Sequence, residues 1–138
     1  MSKLEALVPP PELCEAIPQG AFADSALIGI YSDGKWIVLP RCKELEALTH
    51  APAPTLAEIM EELPKSIEDD RHHREFILIR NSLGRHGDWQ IGYATIFHRG
   101  LEASRFAAAD PDRPECAALE LWLQLNEAGM IPQKGEGE

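Results

Sequence analysis

The sequence predicts an α+β domain, with two antiparallel β-hairpins forming a small sheet packed with two main helices. Three observations carry this expectation. Two β-rich runs flank an Asp-Gly pair, a second pair of strand-like runs lies beyond residue 75, and two stretches carry the caps and spacing of amphipathic helices. A ββα-ββα arrangement is one reading, since Gly34-Lys35-Trp36-Ile37 echoes Gly87-Asp88-Trp89-Gln90-Ile91. Chance similarity over so short a stretch is the other.

In chain order, Pro9 to Pro18 reads as an extended lead-in, one short helical turn and a stop at Pro18. Leu27–Tyr31 and Trp36–Leu39 are strands joined through Ser32-Asp33-Gly34-Lys35. A type I′ turn needs positive φ at both central residues, which Asp-Gly tolerates. With Asp33-Gly34 at the tip, Tyr31 faces Trp36 and Ile30 faces Ile37. Residues 40–54 form a linker in which Lys43–Glu46 make a helical turn. Thr55-Leu56-Ala57-Glu58 is a capping box. Leu56, Ile59, Met60 and Leu63 then give one buried face, with Glu58, Glu61 and Glu62 away from it, and Pro64 ends the helix.

Phe76–Arg80 and Trp89–Ile96 form the second strand pair around a loop at 82–88. Trp89, Ile91, Tyr93, Thr95 and Phe97 alternate onto one large face. Gln90, Gly92, Ala94, Ile96 and His98 take a small face against which something is expected to pack closely. Residues 101–109 have helical composition, and 110–114 must turn. The last helix runs from about Glu115 to Ala128 with Gly129 as its cap, and it is apolar around most of its circumference. Residues 1–131 make one domain, and 132–138 form a polar, disordered tail.

The size fits this plan. A chain of 138 residues, 44% apolar and 26% charged, buries roughly two-thirds of its unfolded surface and needs no metal or disulfide to fold. The N-terminus lacks the pattern of a signal peptide, and no apolar run reaches the length of a membrane span. Cys14, Cys42 and Cys116 are odd in number and widely spaced. They read as reduced thiols of a cytoplasmic protein, with Cys116 packed in a helix.

Charge is unevenly distributed. Residues 1–70 carry 5 Lys and Arg against 13 Asp and Glu, and residues 106–138 carry 2 against 7. Residues 71–105 reverse the sign with 6 arginines against 3 acids, inside a chain of net charge −10. Arg71, Arg74, Arg80, Arg85 and Arg99, near Trp89 and Tyr93, are the candidate contacts of a nucleic-acid-binding surface. Against that reading, Trp89 and Tyr93 share the apolar strand face and the whole chain repels polyanions. A DNA-mimicking decoy requires carboxylates spaced along one surface, whereas these are dispersed.

Catalytic and metal-binding patterns are weaker. Glu68-Asp69-Asp70-Arg71-His72-His73-Arg74-Glu75 holds two histidines, but adjacent positions on a helix diverge by about 100° and do not chelate. A solvated connector is the plainer reading. Cys42 has His50, His86 and His98 as conceivable bases, with no spacing that brings them together. The 82–87 loop lacks the Lys-Ser/Thr ending and the strand-to-helix setting of a phosphate loop. No catalytic residue, cofactor or metal is assigned from the sequence.

Ala117-Ala118-Leu119-Glu120-Leu121-Trp122-Leu123-Gln124-Leu125-Asn126-Glu127-Ala128-Gly129, following the strand Trp89-Gln90-Ile91-Gly92-Tyr93, resembles the ending of short uncharacterised phage- and prophage-encoded proteins. Pro54–Pro64 is similar to their middle helix. The order of elements also resembles the small phage αβα-sandwich domain family. The resemblance covers roughly residues 52–131. It implies a genomic neighbourhood and carries over no functional residues. The expectation is therefore a non-enzymatic protein-interaction module, with nucleic-acid binding as the alternative. Its partner is a second copy or a host or phage protein, and Leu119, Trp122 and Leu123 are the candidate interface.

Overall fold

The computed structural model describes residues 4–69, 72–80, 89–97, 100–110 and 112–131. The α+β class holds, with helices and two antiparallel sheets. A 3₁₀ turn (Glu5–Leu7) and α1 (Pro11–Glu15) lead to β1 (Leu27–Ser32) and β2 (Lys35–Pro40). Then come α2 (Lys43–Glu46), β3 (Ala51–Pro52) and α3 (Leu56–Glu62). The remaining elements are β4 (Ser66–Asp69), β5 (His72–Arg80), β6 (Trp89–Phe97), β7 (Gly100–Asp110) and α4 (Pro114–Glu127). One sheet has the order β2-β1-β3 and the other β4-β5-β6-β7. No helix among the described residues is long and apolar enough to cross a membrane.

The first hairpin follows its turn chemistry. Asp33 and Gly34 take φ of 52° and 78°, the paired positive values of a type I′ turn. Tyr31 stands opposite Trp36 and Ile30 opposite Ile37. The two rings meet edge to face at 5.2 Å, a favourable quadrupole arrangement. The Trp36 indole continues over Gly29, where a Cβ would overlap it. Across β1, the short β3 places Pro52 opposite Ile28 at the sheet edge, where a missing N–H costs no ladder bond.

The second sheet is larger than the strand pair expected. The acidic and histidine cluster at 68–75 is a β4–β5 hairpin, with Glu68 opposite His73 and Asp69 opposite His72, and not a solvated connector. Residues 100–110 are likewise a strand, not a helix. An isolated helix of about ten residues is marginal in water, whereas β6 offers a full row of unpaired backbone groups. Gly92 lets β7 close onto that row, because a Cβ there would lie 2.8 Å from the Phe106 carbonyl oxygen and 3.0 Å from the Ala107 Cβ. The β6–β7 register shifts between Gly92 and Ala94. Two flanked pairs of unequal size replace the ββα-ββα reading. The expected tail at 132–138 lies outside the described residues.

Local signals set the helix limits. In α3 both capping-box bonds form, since Thr55 N–H donates to Glu58 Oε1 at 2.9 Å and Glu58 N–H to Thr55 Oγ1 at 3.4 Å. Asp110 Oδ1 accepts from the N–H groups of Asp112 (3.0 Å) and Arg113 (2.7 Å) and so turns the chain out of β7. Pro114 opens α4. At its other end Gly129 takes φ of 75°. Met130 N–H then donates to the Leu125 carbonyl at 2.8 Å and Gly129 N–H to that of Asn126 at 3.1 Å, the paired bonds of a Schellman cap.

α4 packs across β6 and β7 and against α3. Ile59, Leu63, Ile91, Phe106, Leu121 and Leu125 are buried between these elements. The Tyr93 hydroxyl donates to the Pro64 carbonyl at 2.6 Å, so a buried phenol keeps its partner. A second cluster of Val8, Cys14, Leu27, Val38 and Ala53 lies between the N-terminal segment and the first sheet. Arg113 joins the two regions. Its guanidinium pairs with Glu115 at 2.8 Å and donates to the carbonyls of Glu5 and Val8.

This packing corrects the expected interface. Leu119 is 0% and Trp122 4% exposed within the single chain, and Leu123 is half-buried against the same core. The apolar surplus of α4 is covered by α3, by the second sheet and by the chain around Phe22, so these residues form no open patch.

Candidate functional site

A cleft of about 620 Å³ opens between residues 18–25, α3 and α4. Its first wall is a loop of two successive tight turns. Ala21 N–H donates to the Pro18 carbonyl at 3.1 Å and Ser25 N–H to that of Phe22 at 3.0 Å. Gly20 supplies a φ of 93°, and Phe22 itself sits at 54°, where a bulky L-residue is strained. The Phe22 ring lies 4.9 Å from that of Trp122, and this contact holds the loop against α4.

The loop is also pinned from α3. Glu58 accepts the Thr55 N–H on Oε1 and the Ala26 N–H on Oε2 at 2.9 Å, so one carboxylate both caps the helix and anchors the loop. Beyond the loop, Arg41 donates to the Ser25 carbonyl at 2.7 Å and to its hydroxyl at 2.9 Å. It also pairs with Glu46 at 3.0 Å.

Electrostatically the cleft has one sign. Glu58, Glu61 and Glu62, at i, i+3 and i+4, share one face of α3, and Asp24 adds a carboxylate from the loop. No Lys, Arg or His lines it among the described residues. Asp24 and Glu61 are exposed. Trp122 also lines the cleft, and its buried indole N–H has no hydrogen-bond acceptor among the described residues. The walls thus combine an aromatic pair with negative charge.

Of the five candidate nucleic-acid contacts, Arg74 and Arg80 lie among the described residues. Arg74 is 4% exposed and sits on β5 opposite Ile67, facing the core side of the sheet. Arg80 ends β5 opposite Trp89. Arg71, Arg85 and Arg99 lie outside the described residues. Tyr93 is buried with its hydroxyl bonded, so it offers no stacking platform.

Nor do the candidate metal and thiol groups converge. His73 bonds Glu68 through Nδ1 at 2.9 Å and Glu75 through Nε2 at 3.0 Å. Both nitrogens are therefore engaged on opposite sides of the ring, which raises the histidine pKa, chiefly through Glu68. Among the described residues no three His, Cys, Asp or Glu are grouped to hold a metal. Burial pushes the Cys14 thiol up to about 12 and that of Cys116 up to about 11, so both remain protonated and poorly nucleophilic. Cys42 is exposed beside α2.

The outer face of the second sheet, away from α4, carries a smaller groove of about 390 Å³ over Gly92, bordered by Ile77, Gln90, Ala107 and Ala109. The close approach at Gly92 is that of β7, its neighbour within the sheet, while the small β6 face itself, expected to pack closely, carries the groove. Sequence reasoning missed the cleft. The spacing of Glu58, Glu61 and Glu62 was visible, but residues 19–25 showed no pattern, and only the fold brings them opposite α3. Comparison with protein-family models, curated proteins and solved structures gave no match.

Proposed function

We propose that this chain is a small cytoplasmic protein of phage or prophage type whose work is to dock another protein, using the cleft between the 18–25 loop, α3 and α4. The observation that carries the reading is the construction of that cleft. Its volume lies within the range of about 300–1,000 Å³ typical of binding sites. Its rim is charged and its floor aromatic, the division found where proteins recognise partners. The loop that forms one wall is held by Glu58 and by the Phe22–Trp122 contact, so the surface is formed before a partner arrives. The phage-type origin rests on the likeness of the C-terminal helix described above, and the cytoplasmic setting on three free cysteines.

The test is photo-crosslinking in the cells that express the protein. A benzophenone amino acid replaces Ala23, exposed at the cleft, or Ala109, exposed on the outer sheet face. The expected result is a discrete, protease-sensitive adduct from position 23 and none from position 109. No adduct at 23, a nuclease-sensitive adduct, or adducts only at 109 would overturn the reading.

A further inference from the structure

We infer that Cys14 and Cys116 form a latent dithiol, which a peroxide oxidises to a disulfide that fastens α1 to the start of α4.

The fold brings these two thiols together from opposite ends of the chain. Cys14 lies in the last turn of α1 and Cys116 in the first turn of α4, and the two helices pack on each other. Arg113, the residue before α4, fixes their approach. Its guanidinium donates to the carbonyls of Glu5 and Val8, so the segment that leads into α1 is tied to the segment that leads into α4. The Cys14 thiol donates to the next carbonyl along, that of Pro9, at 3.4 Å. Both cysteines are buried, at 1% and 5% exposure.

Electrostatics point to the same junction. The Cys14 thiol is raised by burial first and by Cys116 second, the Cys116 thiol by burial, and Arg113 lowers both. Charge on one sulfur is felt at the other, which sets the two side chains beside one another next to one guanidinium. A disulfide needs Cα atoms about 4–7 Å apart. With five residues, α1 is the more adjustable partner of the 14-residue α4.

The reaction follows from the thiol chemistry. Cys116 has the lower pKa of the pair and reacts first. Its sulfur attacks one oxygen of hydrogen peroxide, the O–O bond breaks, and the other oxygen leaves as water with the thiol proton. Cys116 is then a sulfenic acid. The Cys14 sulfur displaces its hydroxyl, which takes the Cys14 proton and leaves as a second water. The two sulfurs together give up two electrons, and the peroxide accepts them. In a reducing compartment the pair rests as thiols, and the bond forms on exposure to peroxide. Because the thiolate is the nucleophile, burial makes the step slow at neutral pH and faster as pH rises.

The experiment exposes the folded, reduced full chain to hydrogen peroxide at about pH 7 and about pH 9 and maps its tryptic peptides without reduction. The expected product is a peptide pair joined through Cys14 and Cys116, two hydrogens lighter than its separate halves and released by dithiothreitol. It is expected to form roughly tenfold faster for each unit of pH. Cys42→Ser, which removes the exposed thiol, is expected to form it equally fast. The joined protein is expected to melt about 5–15 °C above the reduced one, since the bond closes nearly the whole chain into one loop. Oxidation of Cys42 alone, sulfinic acid at Cys14 or Cys116 with no joined pair, a pair that forms only in urea or only when Cys42 is present, or a joined protein that melts no higher would each overturn the inference. The peptide map is read on the wild type, so its outcome does not depend on whether a variant folds.

Discussion

His73 shows how much one side chain takes from its strand register. Because Glu68 lies directly across the β4–β5 pair and Glu75 two residues along the same strand, one imidazole is bonded at both nitrogens, a state that favours the imidazolium. Its pKa is raised by Glu68 first and Glu75 second, and the sign of the linkage follows. A raised folded-state pKa adds stability that is fully present below the unfolded value and is lost as pH rises through the folded one. An NMR titration is expected to place His73 above an ordinary histidine, and Glu68→Gln is expected to lower it more than Glu75→Gln. Titration at the ordinary value in the wild type would show that the triad does not form in solution. Tyr93 is the buried counterpart. Tyr93→Phe removes the donor to the Pro64 carbonyl and is expected to cost about 1 kcal/mol in urea unfolding, whereas no loss would mean that water takes the same carbonyl.

Among the elements, two glycines separate rigid from yielding contacts. A Cβ at Gly92 meets the Phe106 carbonyl oxygen at 2.8 Å, a backbone atom that moves only if β7 moves. A Cβ at Gly29 meets the Trp36 indole, a half-buried side chain able to rotate away. Gly92→Ala is therefore expected to cost about 1–3 kcal/mol and to speed amide exchange along β7. Gly29→Ala should cost less and should disturb mainly the Tyr31–Trp36 ring contact. Equal destabilisation by the two, with β7 protection unchanged, would refute the role given to Gly92. The contrast also shows what was legible beforehand. The Trp36 register followed from Asp33-Gly34, a local cue, while the need for Gly92 depended on a strand whose alanines suggested a helix.

For the molecule as a whole, α4 decides between a core and an interface. It was expected to leave Leu119, Trp122 and Leu123 for a partner, but the second sheet and α3 enclose the first two. Leu119→Ala is accordingly expected to lower stability by about 2–5 kcal/mol through the cavity it leaves, without altering the mass seen in sedimentation equilibrium. A variant that dissociates a dimer while keeping its stability would restore the interface. On the proposed docking reading the partner meets the acidic cleft, whose charge has the sign of the chain's net −10. That field draws basic partners in from a distance and turns polyanions away.

What the sequence determined by itself was whatever depends on a few neighbouring residues. The type I′ tip at Asp33-Gly34, the Thr55–Glu58 capping box and the Gly129 stop each satisfy their own backbone groups within a turn. The α+β class follows from adding such units. Tertiary structure decided the rest. β4 and β7 are strands because a neighbour offered an unpaired edge, and that supply of hydrogen bonds outweighs the weak helical preference of residues 101–109. The coverage of α4 and the cleft have the same origin. Asp24, Glu61 and Trp122 are far apart in the chain and acquire a common surface only when the 18–25 loop closes onto α3 and α4. No local rule encodes that meeting, because its energy lies in contacts between elements and not within any one of them.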